Sequence, residues 1–253
     1  MDMSETPSSR CGISGSTLKL IAIVAMAMDH TAWCLIDPKL TACGLSGYPQ
    51  LVPLAALQEL SALYVLSYLL HAIGRITFPL MLFFLTEGIT HTRSIRRYAA
   101  GVLLFAFVSE IPFDLAFSGV VWDASGQNVF FTLFFSLLAM YAIRNLRHCP
   151  GLAVLAVTLC GGACWLLQSD YSCRGVIIAC TIELLHEQKT QAYGVGCLVA
   201  TVLNPCECTA LLALPAVRAY NGKRGWKLKY AFYLFYPAHL LLLYGIRRWI
   251  GNI

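Results

Sequence analysis

The chain has 253 residues, of which 58% are hydrophobic and 12% charged, with a formal net charge of +5. Typical globular chains carry about 25% charged residues, so this one has too few charges to cover a water-facing surface. With a mean hydropathy of +0.67, it reads as a polytopic membrane protein. The low charge also excludes a disordered chain and a nucleic-acid-binding domain of the usual basic kind.

Residues 1–17 (MDMSETPSSRCGISGST) are polar and are expected to form a flexible N-terminal tail. They lack the basic start, apolar stretch and cleavage site of a signal peptide, so the first apolar block is expected to remain as a span. Residues 18–253 read as one transmembrane domain. Its apolar blocks cover 18–36, 51–73, 76–90, 98–117, 129–143, 151–167, 175–185, 192–203, 208–219 and 230–249. A bilayer core of about 30 Å needs about 20 helical residues, so the three blocks near 12 residues are short for spans. The expected fold is an all-α bundle of nine to ten transmembrane helices, one of which can lie in the interface.

The second block decides the topology. If all ten blocks span, Lys and Arg split six against twelve and both termini lie outside. Block 51–73 carries Pro53, Gln58, Glu59, Ser61, Ser67 and His71, and only Gly74 and Arg75 separate it from the next. If it lies in the interface instead, thirteen of the eighteen basic residues fall on the N-terminal side against five opposite. The second split obeys the positive-inside rule better and gives nine spans.

Most of the eleven cysteines stand inside apolar runs, among them Cys160, Cys164, Cys180 and Cys197, as small buried thiols do. Cys206 and Cys208 have no neighbouring ligand pair of zinc-site spacing, so no metal is expected.

Charges inside apolar blocks cost about 2.5–3.5 kcal/mol each on insertion scales and require a reason. Asp29 and His30 lie deep in the first block. Lys19 precedes His30 by eleven residues, close to three helical turns, so both face one way about 16 Å apart. A neutral imidazole at that depth can take a proton from an acceptor amine or hydroxyl, with Asp29 or Glu110 as its orienting partner. The plain structural alternative is a buried polar pair that pins two helices. Glu87 and His91 are four residues apart in the third block, below Arg75. Glu110 and Asp114 flank Pro112, which frees a helical carbonyl. Asn128 stands where it can cap the fifth block. In the last block His239 follows Pro237, the setting of a satisfied core histidine or of a polar cavity. The basic runs from Arg93 to Arg97 and from Lys223 to Lys229 suit either an anion site or topology and headgroup contact.

Taken in order, LKLIAIVAMAMDH, GRITFPLMLFFLTEGITHTR, SEIPFDLAF, NVFFTL, DYSCRG and KLKYAFYLFYPAHLL resemble the TraX family of integral membrane proteins, over most of residues 18–245. That family is named for an acetylase of the conjugative pilin N-terminus and looks distantly related to membrane acyltransferases that use a cytosolic acyl-CoA. The larger group carries a basic residue, ten residues and then histidine on its first catalytic helix, which Lys19 and His30 match. The resemblance implies an acyltransferase-like domain in the bacterial cytoplasmic membrane, with His30 essential and Lys19 near the acyl-CoA entrance. Arg75, Glu87, His91, Glu110, Asp114 and His239 resemble family-typical polar positions. Two features depart from the pattern: the 37–73 stretch is long, and Ser172 stands where members often have glycine.

The combined expectation is a multi-pass acetyltransferase that moves an acetyl group from acetyl-CoA to a pilin-like protein, a glycan or a small amine. His30, Asp29 and Glu110 would be catalytic. Lys19, Arg75, His91, Arg93, Arg97 and Lys229 would hold the CoA. Glu87, Asp114, Asn128 and His239 would meet the acceptor. The rival is a transporter or channel lined by the same charges, whose best pointer, an inverted repeat, is not found.

Overall fold

The computed structural model describes residues 12–42, 62–226 and 229–251, with side chains of 229–232 left aside. All its named elements are helical. α1 (Gly15–Thr31) passes through a π-turn (Ala32–Ile36) into α2 (Asp37–Ala42), and α3 (Ala62–Gly74) leads into α4 (Thr77–His91). α5 (Ile95–Phe117), α6 (Val129–Asn145), α7 (Pro150–Leu166), α8 (Ser172–Leu184) and α9 (Lys189–Leu203) follow. A 3₁₀ segment (Pro205–Ala213), α10 (Leu214–Arg218) and α11 (Lys229–Gly251) complete the order.

The helix starts are written locally. Ser14, Ser94 and Asn128 accept the backbone N–H of Thr17, Arg97 and Phe130 and so cap α1, α5 and α6. Proline opens α7 at its first turn, where no N–H is needed. Three segments are long and apolar enough to cross a membrane: Gly15–Ala42, Ala62–His91 and Ile95–Phe117. Val129–Asn145 and Pro150–Leu166 are shorter apolar helices. Large apolar side chains face outward, most of all on α7, where Val154, Leu159, Trp165 and Leu166 are each more than 60% exposed. Among the described residues no polar segment covers that face, and this is the surface of a membrane protein.

The second apolar block, expected in the interface, is described from residue 62 onward. Its described part, α3, packs along α1 and the π-turn. Together α3 and α4 form a two-part helix broken at Arg75 and Ile76 that runs antiparallel to Gly15–Ala42. The π-turn has a consequence for register. Eight residues of regular α-helix separate Asp29 from Asp37 by two turns plus about 80°. The wider turn takes up that excess, and both carboxylates face His71 on α3.

Of the polar N-terminal stretch, residues 12–17 are described. The Ile13 N–H donates to the Ala219 carbonyl, the Ile13 carbonyl accepts from the Asn221 N–H, and Gly15 and Ser16 donate to the carbonyls of Lys223 and Arg224. Residues 12–17 are therefore tied to the segment before α11, while 1–11 lie outside the described residues. The main core lies between α4, α5, α6, α8 and α11, with Phe78, Leu82, Leu137, Met140, Ile182 and Leu240 almost fully enclosed.

Candidate functional site

Asp29 and His30 are consecutive, so a helix turns their side chains about 100° apart, and each meets a different set of partners. His30 looks toward α11. Its Nδ1 is 2.7 Å from Nε2 of His239, and the two rings are nearly parallel, 5° apart in plane with centroids at 4.9 Å. His239 in turn donates from Nδ1 to the carbonyl of Phe235 at 2.8 Å. Phe117 and Tyr236 stand edge-on to the His30 ring, so the pair sits in an aromatic box.

Asp29 looks toward α3. Its Oδ1 lies 2.8 Å from His71 Nδ1 and accepts from Arg75 Nη2 at 3.0 Å. The other nitrogen of His71 is 2.9 Å from Asp37 Oδ2, and Ser67 donates to Asp37 at 2.6 Å. Arg75 Nη1 reaches Glu207 Oε1 at 3.2 Å. Two carboxylates facing one imidazole can accept only, so both ring nitrogens donate and His71 carries both protons. The chain passes close here: a Cβ on Gly74 would collide with the Asp29 side chain. The loop before α8 adds Asp170, whose charge interacts with those of Arg75 and Asp29.

A cavity of about 620 Å³ opens at the other end of α1. Its rim carries Lys19, His91, Arg93, Arg97 and Arg224, and its inner wall is Met26, Leu85, Phe130, Leu133 and Tyr236. It follows α1 from Gly15 to Met26, roughly 16 Å at 1.5 Å per residue. Met26 is one turn before His30, and Tyr236 touches the His30 ring, so the cavity stops one side chain short of the imidazole. Glu87 also lines it, but Lys189 at 2.7 Å and the Tyr220 hydroxyl at 3.2 Å neutralise and hold that carboxylate.

The expected site residues thus fall into four groups, one of them the His30–His239 pair. Lys19, His91, Arg93, Arg97 and Glu87 share the cavity; Lys229 opens α11 with its side chain outside the described residues. His91 bonds the backbone carbonyl of Glu87 and not its carboxylate. Arg75, expected at the cofactor, lies instead in the Asp29 network. Asp29 and Glu110, expected to orient His30, bond other groups: Glu110 accepts from the Asn128 side chain, which also caps α6 and reaches the Ala106 carbonyl. Asp114 accepts the backbone N–H of Asp123 and anchors the loop after α5. These three polar residues fasten α5, α6 and their loop.

A family model described as TraX protein matches residues 14–247. The chain belongs to the TraX family. A curated relative, the probable fimbrial assembly protein FimC, serogroup H1, of Dichelobacter nodosus, is 31% identical over 258 residues, covering 91% of this chain and 94% of the relative. No solved structure matches.

For this TraX-family member, residues that the sequence did not single out complete the site. His71, Asp37 and Glu207 hold the Asp29 network, and Tyr236 forms the wall between cavity and His30. His71 had a visible signal, since it precedes Arg75 by one helical turn in LLHAIGR. Glu207 had none, because its partner is 132 residues away.

Proposed function

We propose that this chain is a multi-pass membrane acetyltransferase that takes acetyl-CoA at the basic end of the bundle and passes the acetyl group to an amine or hydroxyl acceptor. The observation that supports this most is the shape of the cavity. A cationic rim suits the phosphates of CoA, and an apolar passage suits the pantetheine arm and thioester. The passage points at a partly buried histidine with no carboxylate bonded to it among the described residues.

In this reading the protein crosses the bacterial cytoplasmic membrane nine times, with the basic end in the cytosol. The two-part α3–α4 helix counts as one crossing and the 3₁₀ segment with α10 as another. Exposed Trp122, Trp165 and Trp249 mark the opposite interface and Trp226 the basic one. His30 removes a proton from the acceptor as its nitrogen or oxygen attacks the thioester carbonyl. The new bond to carbon forms, the C–S bond breaks, and the imidazolium returns the proton to the departing thiolate. The relative's name, a fimbrial assembly protein, favours a pilin-like acceptor.

The test is acetyl-CoA protection of the purified protein against heat, paired with acetyl transfer to peptides with free N-termini. Acetyl-CoA should raise the Tm, and CoA lacking the 3′-phosphate should do so less. His30→Ala should keep the protection and lose transfer by roughly 10²-fold or more. Wild-type transfer by His30→Ala removes the proposal, as does absence of any protection. Substrate counterflow in vesicles without acetyl transfer would establish the transporter reading instead.

A further inference from the structure

The proton positions in the His30–His239 pair follow from one fixed point. The Phe235 carbonyl can only accept. His239 Nδ1, 2.8 Å away, therefore carries a hydrogen. In a neutral ring that leaves His239 Nε2 as an acceptor. His30 Nδ1, 2.7 Å from it, must then be the donor. The remaining nitrogen of His30, Nε2, is left with a lone pair and no hydrogen.

We propose that His239 is the positioning residue of the reaction: through the Phe235–His239–His30 chain it holds His30 in the one tautomer whose Nε2 is a base. This rests on the reading of His30 as general base, and it replaces the carboxylate partner expected from sequence with a neutral imidazole.

Three features support the role. His239 is 7% exposed, so water does not compete for its Nε2. Its ring is stacked on Phe235 with planes 9° apart and is edge-on to Tyr236, which fixes its direction. Among the described residues no carboxylate bonds to either ring, so nothing else sets the tautomer. The pair also handles charge differently from a histidine–carboxylate couple. When His30 Nε2 takes the acceptor's proton, the Nδ1 proton can move onto His239 Nε2. One positive charge is then shared between two rings, and it returns when His30 protonates the thiolate.

The tautomer is read directly by ¹⁵N NMR of histidine-labelled protein in bilayers, without substrate. Wild-type His30 should show a protonated Nδ1 and a bare Nε2. His239→Gln, whose carbonyl oxygen can accept the same bond, should keep that pattern and retain most of kcat. His239→Leu should move His30 toward the Nε2–H form and lower kcat by roughly 10²-fold or more, with the KM for acetyl-CoA and the thermal protection by acetyl-CoA unchanged. A protonated Nε2 in wild-type His30 overturns the proposal. So does a His239→Leu protein that keeps both tautomer and kcat. If His239→Leu fails to fold, the wild-type spectrum and the His239→Gln protein decide. Loss of acetyl-CoA protection in the wild type would instead overturn the acetyltransferase reading and leave the tautomer assignment standing.

Discussion

Asp29 and His30 are neighbours in the chain, yet the two sides of α1 that they mark are built on opposite plans. The Asp29 side is closed: its carboxylate, His71, Asp37, Arg75 and Glu207 bond one another. The His30 side is open-ended: a chain of two rings starts at a carbonyl and finishes at a nitrogen with no partner among the described residues. Each histidine is defined by what its neighbours can do. His71 lies between groups that only accept and so holds two protons, whereas His239 has one acceptor and one donor and so holds one. A closed network suits a structural clamp between α1, α3 and the 3₁₀ segment, and an open one suits proton transfer.

The contrast breaks most severely at Arg75. Arg75→Ala leaves the buried Glu207 without its cation and Asp29 with His71 as its remaining partner, and removing one partner of a buried pair costs about 3–5 kcal/mol. The expected result is a large fall in the detergent-solubilised Tm or failure to fold, which size-exclusion profile and Tm both report. An unchanged Tm would show that the closed side is not a clamp. Gly74→Ala is next. The added Cβ must push the Asp29 side chain aside, and overpacking of this kind costs roughly 1–3 kcal/mol. Its Tm should drop while the His30 tautomer stays as in the wild type, because His30 bonds no member of that network. If the tautomer changes, the two sides are coupled. At the cavity, Arg93→Gln with Arg97→Gln should raise the acetyl-CoA KM several-fold and leave the Tm within about 1 °C, since exposed charges contribute little to stability.

The helical class, the membrane setting and the cap at Asn128 were legible because they depend on local pattern: apolar length, low charge and a side chain two residues from its partner. Helical period put Lys19 and His30 on one side of α1, and the family resemblance put Lys19 near an entrance, where it lines the cavity. The partner of His30 was not. Sequence placed Asp29 and Glu110 there because carboxylates commonly orient imidazoles, but adjacent residues on a helix diverge, and the contact that forms spans 209 positions. The π-turn was equally invisible, since AWCLI carries no residue that demands it, and without it Asp37 would not share His71 with Asp29.

The smallest effect concerns the loop that joins α7 to α8 beside the closed network. Gln168, Tyr171 and Ser172 all have positive φ, at 49°, 61° and 47°. An L-residue in this region costs roughly 1–2 kcal/mol relative to glycine's freedom there. Backbone bonds hold the turn in place, with Ser172 N–H donating to the Ser169 carbonyl at 2.7 Å and Asp170 N–H to that of Gln127 at 2.9 Å. Ser172→Gly should therefore raise the stability slightly, by less than about 1 kcal/mol once the extra freedom of glycine in the unfolded chain is subtracted, and the Tm with it. Transfer should not change, because Ser172 bonds neither Asp29 nor His30. A lower Tm would mean that the serine side chain itself holds the turn, and that the left-handed backbone is a consequence of that grip and not its cost.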